Sequence, residues 1–371
     1  MMVNTSHTHS GPNASRIRGF CREFDDAYLD ELAGKLRDVL ARAVAGLSEG
    51  RLECSAGSCT MGISRRRTMA AGEAGFLPTP DKPIDQAVPV LRVLEADGSW
   101  CAVVFGYSCH PSTAAGYRIS PDYPGYARDY IATRFAGVTP VFMQGCGGDI
   151  KPRNITPDLR FAYEPVEAAA DLGRELGRAV VASLCGRARP LGEELAAASE
   201  IVEIPFDHQP TESELHEAEQ ADSWLPRRWA AAARETVARE GMLRESLPVE
   251  VQVLNVGGLH LLGIAAEVCV GIGLRAKGEV LAPLLWPMGY CNGSWDYVAP
   301  RSECPDGGYE VRTSHMDSIH PFVKPLGLVV EAEDMLVSRA RALIDSLGYR
   351  RHSAETTTAD GHACAQGGTH L

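Results

Sequence analysis

The segment Ser6-His7-Thr8-His9-Ser10-Gly11-Pro12 places two histidines two residues apart near the start of the chain. In an extended strand, side chains at positions i and i+2 project from the same face, so His7 and His9 are expected to reach one site. Gly11 and Pro12 would then end the strand. Neutral imidazole is a common zinc ligand, so the pair indicates part of a metal site. Two surface histidines in an N-terminal tail are the alternative interpretation.

Composition sets the broad class of the protein. The chain has 371 residues, 45% of them hydrophobic and 23% charged, which is typical of a globular protein with a sizeable core. A net charge of -12 argues against nucleic acid as a partner. The sequence contains no apolar run long enough for a transmembrane helix and no leader before His7, so we expect a cytoplasmic protein. Eleven single cysteines without a Cys-x-x-Cys pair are expected to be reduced thiols.

Two apolar runs predict a β-hairpin in the first third of the chain. Val88–Leu94 and Cys101–Tyr107 are separated by a Gly-containing turn, and the second run is apolar almost throughout, as in a central strand. That strand leads directly to His110. A side chain fixed where a buried strand ends is well placed for chemistry, although a hydrogen-bonded structural histidine is an equal alternative.

A second buried strand, Leu259–Ala266, ends in Glu267. A carboxylate after so apolar a run is costly unless it is paired or bound to a metal, which favours a functional interpretation. A third strand, Val138–Met143, precedes a loop with three glycines at positions 145, 147 and 148, which predicts a close backbone approach. Asp149 in this loop is either a hydrogen-bond partner of the site or the cap of a turn.

Helical spacing of apolar residues predicts helices at Asp25–Val44, Glu164–Leu184 and Val329–Leu347, the first packed on a sheet. We therefore expect a mixed α/β (α+β) fold, with mixed β-sheets flanked by helices, in one domain over residues 1–350. The tail 351–371 is expected to be disordered. The run Arg65-Arg66-Arg67 is typical of a solvated turn, the alternative being that one arginine points inward to bind an anionic or carbonyl group.

Five ordered blocks give the sequence a specific resemblance. With these blocks taken together, the sequence resembles the neutral/alkaline (non-lysosomal) ceramidase family, specifically the catalytic N-terminal region of that family and its compact bacterial members. The blocks are the His-x-His segment, Cys109-His110-Pro111 with Ser120-Pro121-Asp122-Tyr123-Pro124-Gly125, the glycine-rich loop Gln144–Pro152, Ala266-Glu267-Val268, and Tyr297-Val298 with Gly308-Tyr309-Glu310.

The resemblance implies a zinc ion and an amide hydrolase. The metal ligands that it implies are His7, His110, Glu267 and Tyr297. The residues implied around the scissile amide are His9, Arg65 and Tyr309, with Arg66 and Arg67 as neighbours of Arg65. The reaction expected is cleavage of an N-acyl or lipid-like small molecule by a zinc-activated water.

The sequence departs from the family pattern in three places. Lys151 stands where the family has serine, which excludes a serine nucleophile, favours zinc-bound water and makes an acidic substrate conceivable. The chain begins almost at the His-x-His segment, so either its true start lies upstream or the domain is N-terminally shortened. No stretch corresponds to the C-terminal immunoglobulin-like domain. A non-catalytic ligand-binding relative and a zinc esterase or phosphoesterase are the alternatives. The oligomeric state is not predicted.

Overall fold

The computed structural model describes residues 1–14, 25–70, 72–114, 117–162, 166–280, 282, 284–317 and 322–348. The tail predicted to be disordered, residues 351–371, lies outside the described residues. In the described part, none of the helices combines the length and the apolar character needed to cross a bilayer.

Helices and strands alternate irregularly along the chain. The helices are α1 (Asp26–Ala45), α2 (Asp122–Arg134), α3 (Ala168–Leu184), α4 (Glu212–Gln220), α5 (Trp224–Glu240), α6 (Val270–Glu279) and α7 (Ala332–Ser346). The strands are β1 (Gly50–Ser58), β2 (Gly62–Thr68), β3 (Ala74–Thr79), β4 (Ala87–Glu95), β5 (Trp100–Tyr107), β6 (Thr139–Gln144), β7 (Ile150–Pro152), β8 (Arg189–Pro190), β9 (Leu195–Pro205), β10 (Ser246–Val256), β11 (Leu259–Ile264), β12 (Glu267–Val268), β13 (Leu285–Met288) and β14 (Tyr297–Val298). Short 3₁₀ helices span Arg301–Asp306 and Thr313–Met316.

Two larger sheets build the core, and both mix parallel with antiparallel pairs. One has the strand order β6-β5-β4-β1-β8, and the other has the order β13-β11-β10-β9. Helices α2 and α3 pack against apolar residues of the first sheet, and Leu176 of α3 lies in the same buried cluster as Phe105 of β5. Helix α7 packs on the second through Leu336 and Ile344. The predicted mixed α/β architecture is therefore confirmed.

Most of the predicted elements form close to their predicted bounds. Strands β4 and β5 form the expected antiparallel hairpin, and β5 lies between β4 and β6 inside its sheet. Strands β6 and β11 match the predicted buried strands within two residues. The packing predicted for α1 is wrong, because the helix buries no residue and leaves Leu36 and Val39 exposed. Apolar spacing defines a face of a helix but does not specify a surface that covers it.

Two small strand groups position the residues of interest. Strand β12 pairs in parallel with β14, and the three-stranded sheet β3-β2-β7 lies beside them. Strands β7, β12 and β14 have only two or three residues, and the pairs β2–β7 and β12–β14 join segments that are far apart in the sequence. Their pairing therefore brings distant residues together at the ends of the two larger sheets.

Candidate metal centre

The two N-terminal histidines lie together, but not on a strand as predicted. His7 has a positive φ of 59°, a left-handed conformation that breaks the extended chain. The segment is held instead by isolated backbone hydrogen bonds. Thr5 N donates to Tyr290 O at 3.1 Å, and His9 N donates to Pro111 O at 3.1 Å. The turn at His7 leaves the Nε2 atoms of His7 and His9 3.2 Å apart.

The orientation of the third histidine, His110, is fixed by a hydrogen bond to the backbone. His110 follows β5 and is fully buried. Its Nδ1 lies 2.7 Å from the Gly147 carbonyl oxygen, so Nδ1 carries the proton and donates to that oxygen. Nε2 is then unprotonated and faces the other two histidines. A histidine oriented by a backbone carbonyl in this way is the usual arrangement of a metal ligand.

Glu267 and Tyr297 complete the group as direct neighbours in the β12–β14 pair. Glu267 Oε2 lies 3.4 Å from His7 Nε2 and 3.4 Å from His110 Nε2. The Tyr297 hydroxyl lies 3.2 Å from His110 Nε2. The four residues that the family resemblance implied as ligands therefore converge, although they come from four separate segments of the chain.

The donor set fits a zinc ion. One nitrogen from each of His7, His9 and His110 lies within 4.8 Å of the others. Two ligand atoms of a tetrahedral zinc, each about 2.0–2.1 Å from the metal, are about 3.3 Å apart. The contacts of 3.2–3.4 Å among His7, Glu267, His110 and Tyr297 match that separation. His9 is as near to His7, so geometry alone makes it either a ligand or a neighbour of the ligands.

Electrostatics favour a neutral His110 and an ionised Glu267. Burial, followed by the charge of Arg65, lowers the pKa of His110 to about 4. Burial by itself would raise the pKa of Glu267, but the neighbouring His7 and His110 outweigh it and hold that pKa well below its usual range. Unprotonated imidazoles beside a carboxylate are the protonation states that bind a divalent cation.

The arginine run is not the solvated turn that its composition favoured. Arg65 and Arg66 lie in β2 and are buried, because Glu310 accepts hydrogen bonds from both: from Arg65 Nε at 2.6 Å and from Arg66 Nη1 at 2.5 Å. Arg65 Nη2 also donates to the Tyr297 hydroxyl at 3.1 Å. The alternative of an inward-pointing arginine is therefore correct, and Arg65 is the one that contacts the group.

Tyr309 lies at the edge of the group, with its ring centroid 5.4 Å from that of Tyr297. Its hydroxyl donates to Asp317 at 2.5 Å. Sequence reasoning gave no role to Tyr290, which donates to Glu267 Oε2 at 3.3 Å and stacks on the His7 ring. It also gave none to Glu310. Glu310 stood in a quoted motif, but nothing nearby in the sequence indicated its arginine partners.

The glycine-rich loop makes the close approach that the sequence predicted. A Cβ on Gly147 would lie 2.5 Å from Cys109 N, and one on Gly148 would lie 2.8 Å from Glu267 O. The loop therefore packs against both the segment that carries His110 and the one that carries Glu267. Asp149 accepts from Val270 N at 2.6 Å, at the start of α6, so it acts as a cap.

The fold is that of neutral ceramidase structures, as the resemblance implied. The structure of neutral ceramidase from Pseudomonas aeruginosa matches with a TM-score of 0.68 and 21% identity, over 93% of this chain and 61% of that one. A structure of ceramidase complexed with C2 matches with a TM-score of 0.67 and 19% identity, over 93% of this chain and 62% of that one. The chain thus spans about three-fifths of these proteins. No protein-family model and no curated protein matches it.

Proposed function

We propose that this protein is a zinc-dependent hydrolase that cleaves the amide bond of an N-acyl, lipid-like substrate. The observation that carries the proposal is the convergence of His7, His110, Glu267 and Tyr297 from four distant segments. The ceramidase fold supports the choice of an amide as the bond cleaved.

In this proposal His7, His110, Glu267 and Tyr297 hold the zinc ion. When bound, zinc supplies Lewis acidity that polarises a carbonyl and lowers the pKa of a coordinated water to about 7. The centre is accessible from solvent, because His9 is exposed and the His7 side chain retains 30% of its accessible surface. A substrate carbonyl therefore has a path to the group.

The surrounding side chains supply proton transfer and charge stabilisation. In amide hydrolysis water adds to the carbonyl carbon, the C–N bond breaks, and a proton moves to the leaving nitrogen. His9 Nε2, on the exposed side of the group, is placed to take the water's proton and return it to that nitrogen. Arg65 is fixed by Glu310 and provides positive charge for the oxygen that becomes negative. The Tyr309 hydroxyl, which donates to Asp317 in the free protein, would turn to the same oxygen when substrate binds.

Metal analysis and a substrate screen test the proposal. Protein purified without chelators is expected to contain about one zinc per chain and to release amine from long-chain N-acyl amides. A chelator should abolish turnover, added zinc should restore it, and His110→Ala should lack both metal and activity. Absence of stoichiometric zinc would overturn the proposal.

The same screen includes the matching esters and phosphoesters. Cleavage of esters or phosphoesters alone would assign a different bond to the same centre, since Lewis-acid catalysis serves all three. Stoichiometric zinc without turnover of any substrate would indicate a ligand-binding protein instead.

A further inference from the structure

Lys151 is a buried cation beside the candidate metal centre. It lies in β7, opposite Ile63 of β2, and only 8% of its surface is exposed. Its ammonium donates to the Ser112 carbonyl at 3.3 Å and to the Ser112 hydroxyl at 3.0 Å. These two contacts use two of its three N–H groups.

Among the residues that the structure describes, no carboxylate forms an ion pair of 4.0 Å or less with Nζ, and the attraction of Asp122 is weaker than the opposing effects of burial and Arg65. Burying a charge without a counter-charge is unfavourable, and buried lysines are almost always paired. Burial, followed by the nearby Arg65, lowers the pKa of Lys151 to about 8, so most molecules still carry the charge at pH 7.

Two aromatic rings lie beside this charge. Nζ lies 5.3 Å from the ring centroid of Phe161 and 5.7 Å from that of Phe76. Arg65, which contacts Tyr297, lies over the same Phe76 ring at 4.9 Å. Phe76 is 44% exposed, so the wall that these residues form borders solvent.

The loop that Lys151 binds is also the loop that carries His110. Ser112 N donates to the His110 carbonyl at 3.0 Å, and His9 N donates to Pro111 O at 3.1 Å. Lys151 therefore holds the backbone segment on which both histidines depend, and its third N–H is not used by either Ser112 contact.

We propose that Lys151 binds a carboxylate of the substrate, so that the preferred amides are acidic. This inference rests on the proposed amide hydrolysis and names the substrate class. The carboxylate belongs either to the amine half, as in an N-acyl amino acid, or to the acyl half, as in the monoamide of a dicarboxylic acid. Both present the same group to the ammonium.

Matched substrates test the inference on the wild-type protein. N-lauroylglycine is compared with neutral N-lauroylethanolamine, and the monoethanolamide of dodecanedioic acid provides the second acidic arm. A charge-assisted contact predicts a kcat/KM roughly 10- to 100-fold higher for at least one acidic amide than for the neutral one. The arm with the higher value identifies the half that carries the carboxylate. Equal values for all three amides would overturn the inference.

Substitution of Lys151 gives the second readout. Lys151→Gln keeps hydrogen bonding to Ser112, and Lys151→Met removes it, while both remove the charge. In each variant the ratio of acidic to neutral kcat/KM should fall roughly 10- to 100-fold, with the loss mainly in KM, and Lys151→Arg should restore part of it. The matched control, Lys35→Met on the exposed helix α1, should leave the ratio as in wild type. An unchanged ratio in both charge-removing variants would overturn the inference.

Equilibrium binding separates this inference from the function on which it rests. If no amide is cleaved, titration of N-lauroylglycine and N-lauroylethanolamine into wild type and Lys151→Gln still gives a result. Tighter binding of the acid that is lost in the variant would support the carboxylate site while hydrolysis fails. Equal binding of the two compounds would overturn it.

Discussion

Glu267 and Tyr297 are direct register partners in a parallel pair of two-residue strands, so their side chains leave neighbouring backbones beside His110. Strand β12 begins shortly after the buried strand β11 ends, and β14 lies nearly thirty residues further along the chain. The pairing makes the carboxylate and the phenol a fixed unit of the proposed metal site.

Replacement of the carboxylate should remove the metal. Glu267→Gln keeps the size of the side chain but removes the negative charge next to His7 and His110. We expect zinc affinity to fall by roughly 100-fold or more, since loss of an outer-shell partner alone costs about 10–100-fold. Metal content after dialysis measures the effect. The control is Glu203→Gln on strand β9, and retention of full zinc by Glu267→Gln would contradict the assignment.

His7 and His9 should differ in metal content. His7→Ala is expected to lose zinc, whereas His9→Ala should keep it and lose about 10²–10³ in kcat, as expected for a residue that acts on the substrate. Zinc stoichiometry and kcat are measured on the same preparations. Loss of zinc in His9→Ala would instead make His9 a ligand, which its 3.2 Å distance from His7 permits.

The glycine-rich loop should not accept a side chain. Gly147→Ala places a Cβ against the backbone of Ser108 and Cys109, and we expect it to destabilise the fold by about 2–4 kcal/mol and to displace His110. Gly278→Ala is the control, because nothing lies within 4 Å of its Cβ and it belongs to helix α6, where alanine is favoured. Denaturant unfolding of both variants gives the comparison. Similar free energies of unfolding for the two variants would show that the loop can shift to accommodate the added methyl group.

Glu310 should be needed for folding as well as for the site. Glu310→Gln leaves Arg65 buried without its carboxylate partner and leaves Arg66 paired with Glu303 alone, and we expect a loss of about 3–5 kcal/mol. Glu167→Gln, which breaks an exposed pair with Arg118, should have no measurable effect. Unfolding curves at one pH compare the two. If Glu310→Gln were as stable as wild type, Glu310 would not be the group that compensates both arginines.

Acid should destabilise the protein through His315. This histidine is buried between Asp296 and Lys324, and burial lowers its pKa to about 4. Well above pH 6.5 the residue is neutral in both states, so it contributes no pH dependence there. As the pH falls from 6.5 to 4, the unfolded state takes up a proton that the folded state refuses, and stability is lost. The loss reaches about 3 kcal/mol.

Comparison with a variant isolates this contribution. The unfolding free energy of His315→Gln is measured from pH 7.5 to pH 4 alongside that of wild type. The difference between the two curves should shift in favour of the variant as the pH falls through this window. Parallel curves would show that His315 titrates alike in the folded and unfolded chains.

Local sequence patterns predicted the strands and turns whose signal lies within a single short segment of the chain. The hairpin, the strand before Glu267 and the glycine-rich loop all follow from apolar runs and turn residues. The pairing of β12 with β14 does not, because two-residue strands carry no periodicity. The burial of Arg65 and Arg66 depends on Glu310, more than 240 residues away, so the basic run looked like a solvated turn.

The family resemblance supplied the site residues that local patterns left open. Arg65 and Tyr297 were named on that basis and lie in contact. Their roles as catalytic residue and ligand remain predictions for the variants above to test. For helix α1 the sequence predicted the helix correctly but not its packing. Its apolar side chains follow helical spacing, yet no surface in the described chain covers them.

The segment that carries His7 and His9 docks on residues that are synthesised much later. Asn4 bonds to the backbone of Gln144 and Gly289, and Asn292 bonds to Val3. During translation at about 5–20 residues per second, the segment that bears His7 and His9 leaves the ribosome tens of seconds before its docking surface exists. A nascent chain that stalls before residue 289 therefore carries two unanchored imidazoles, and the proposed metal site would form only after the segment containing Gly289 and Tyr297 has been synthesised.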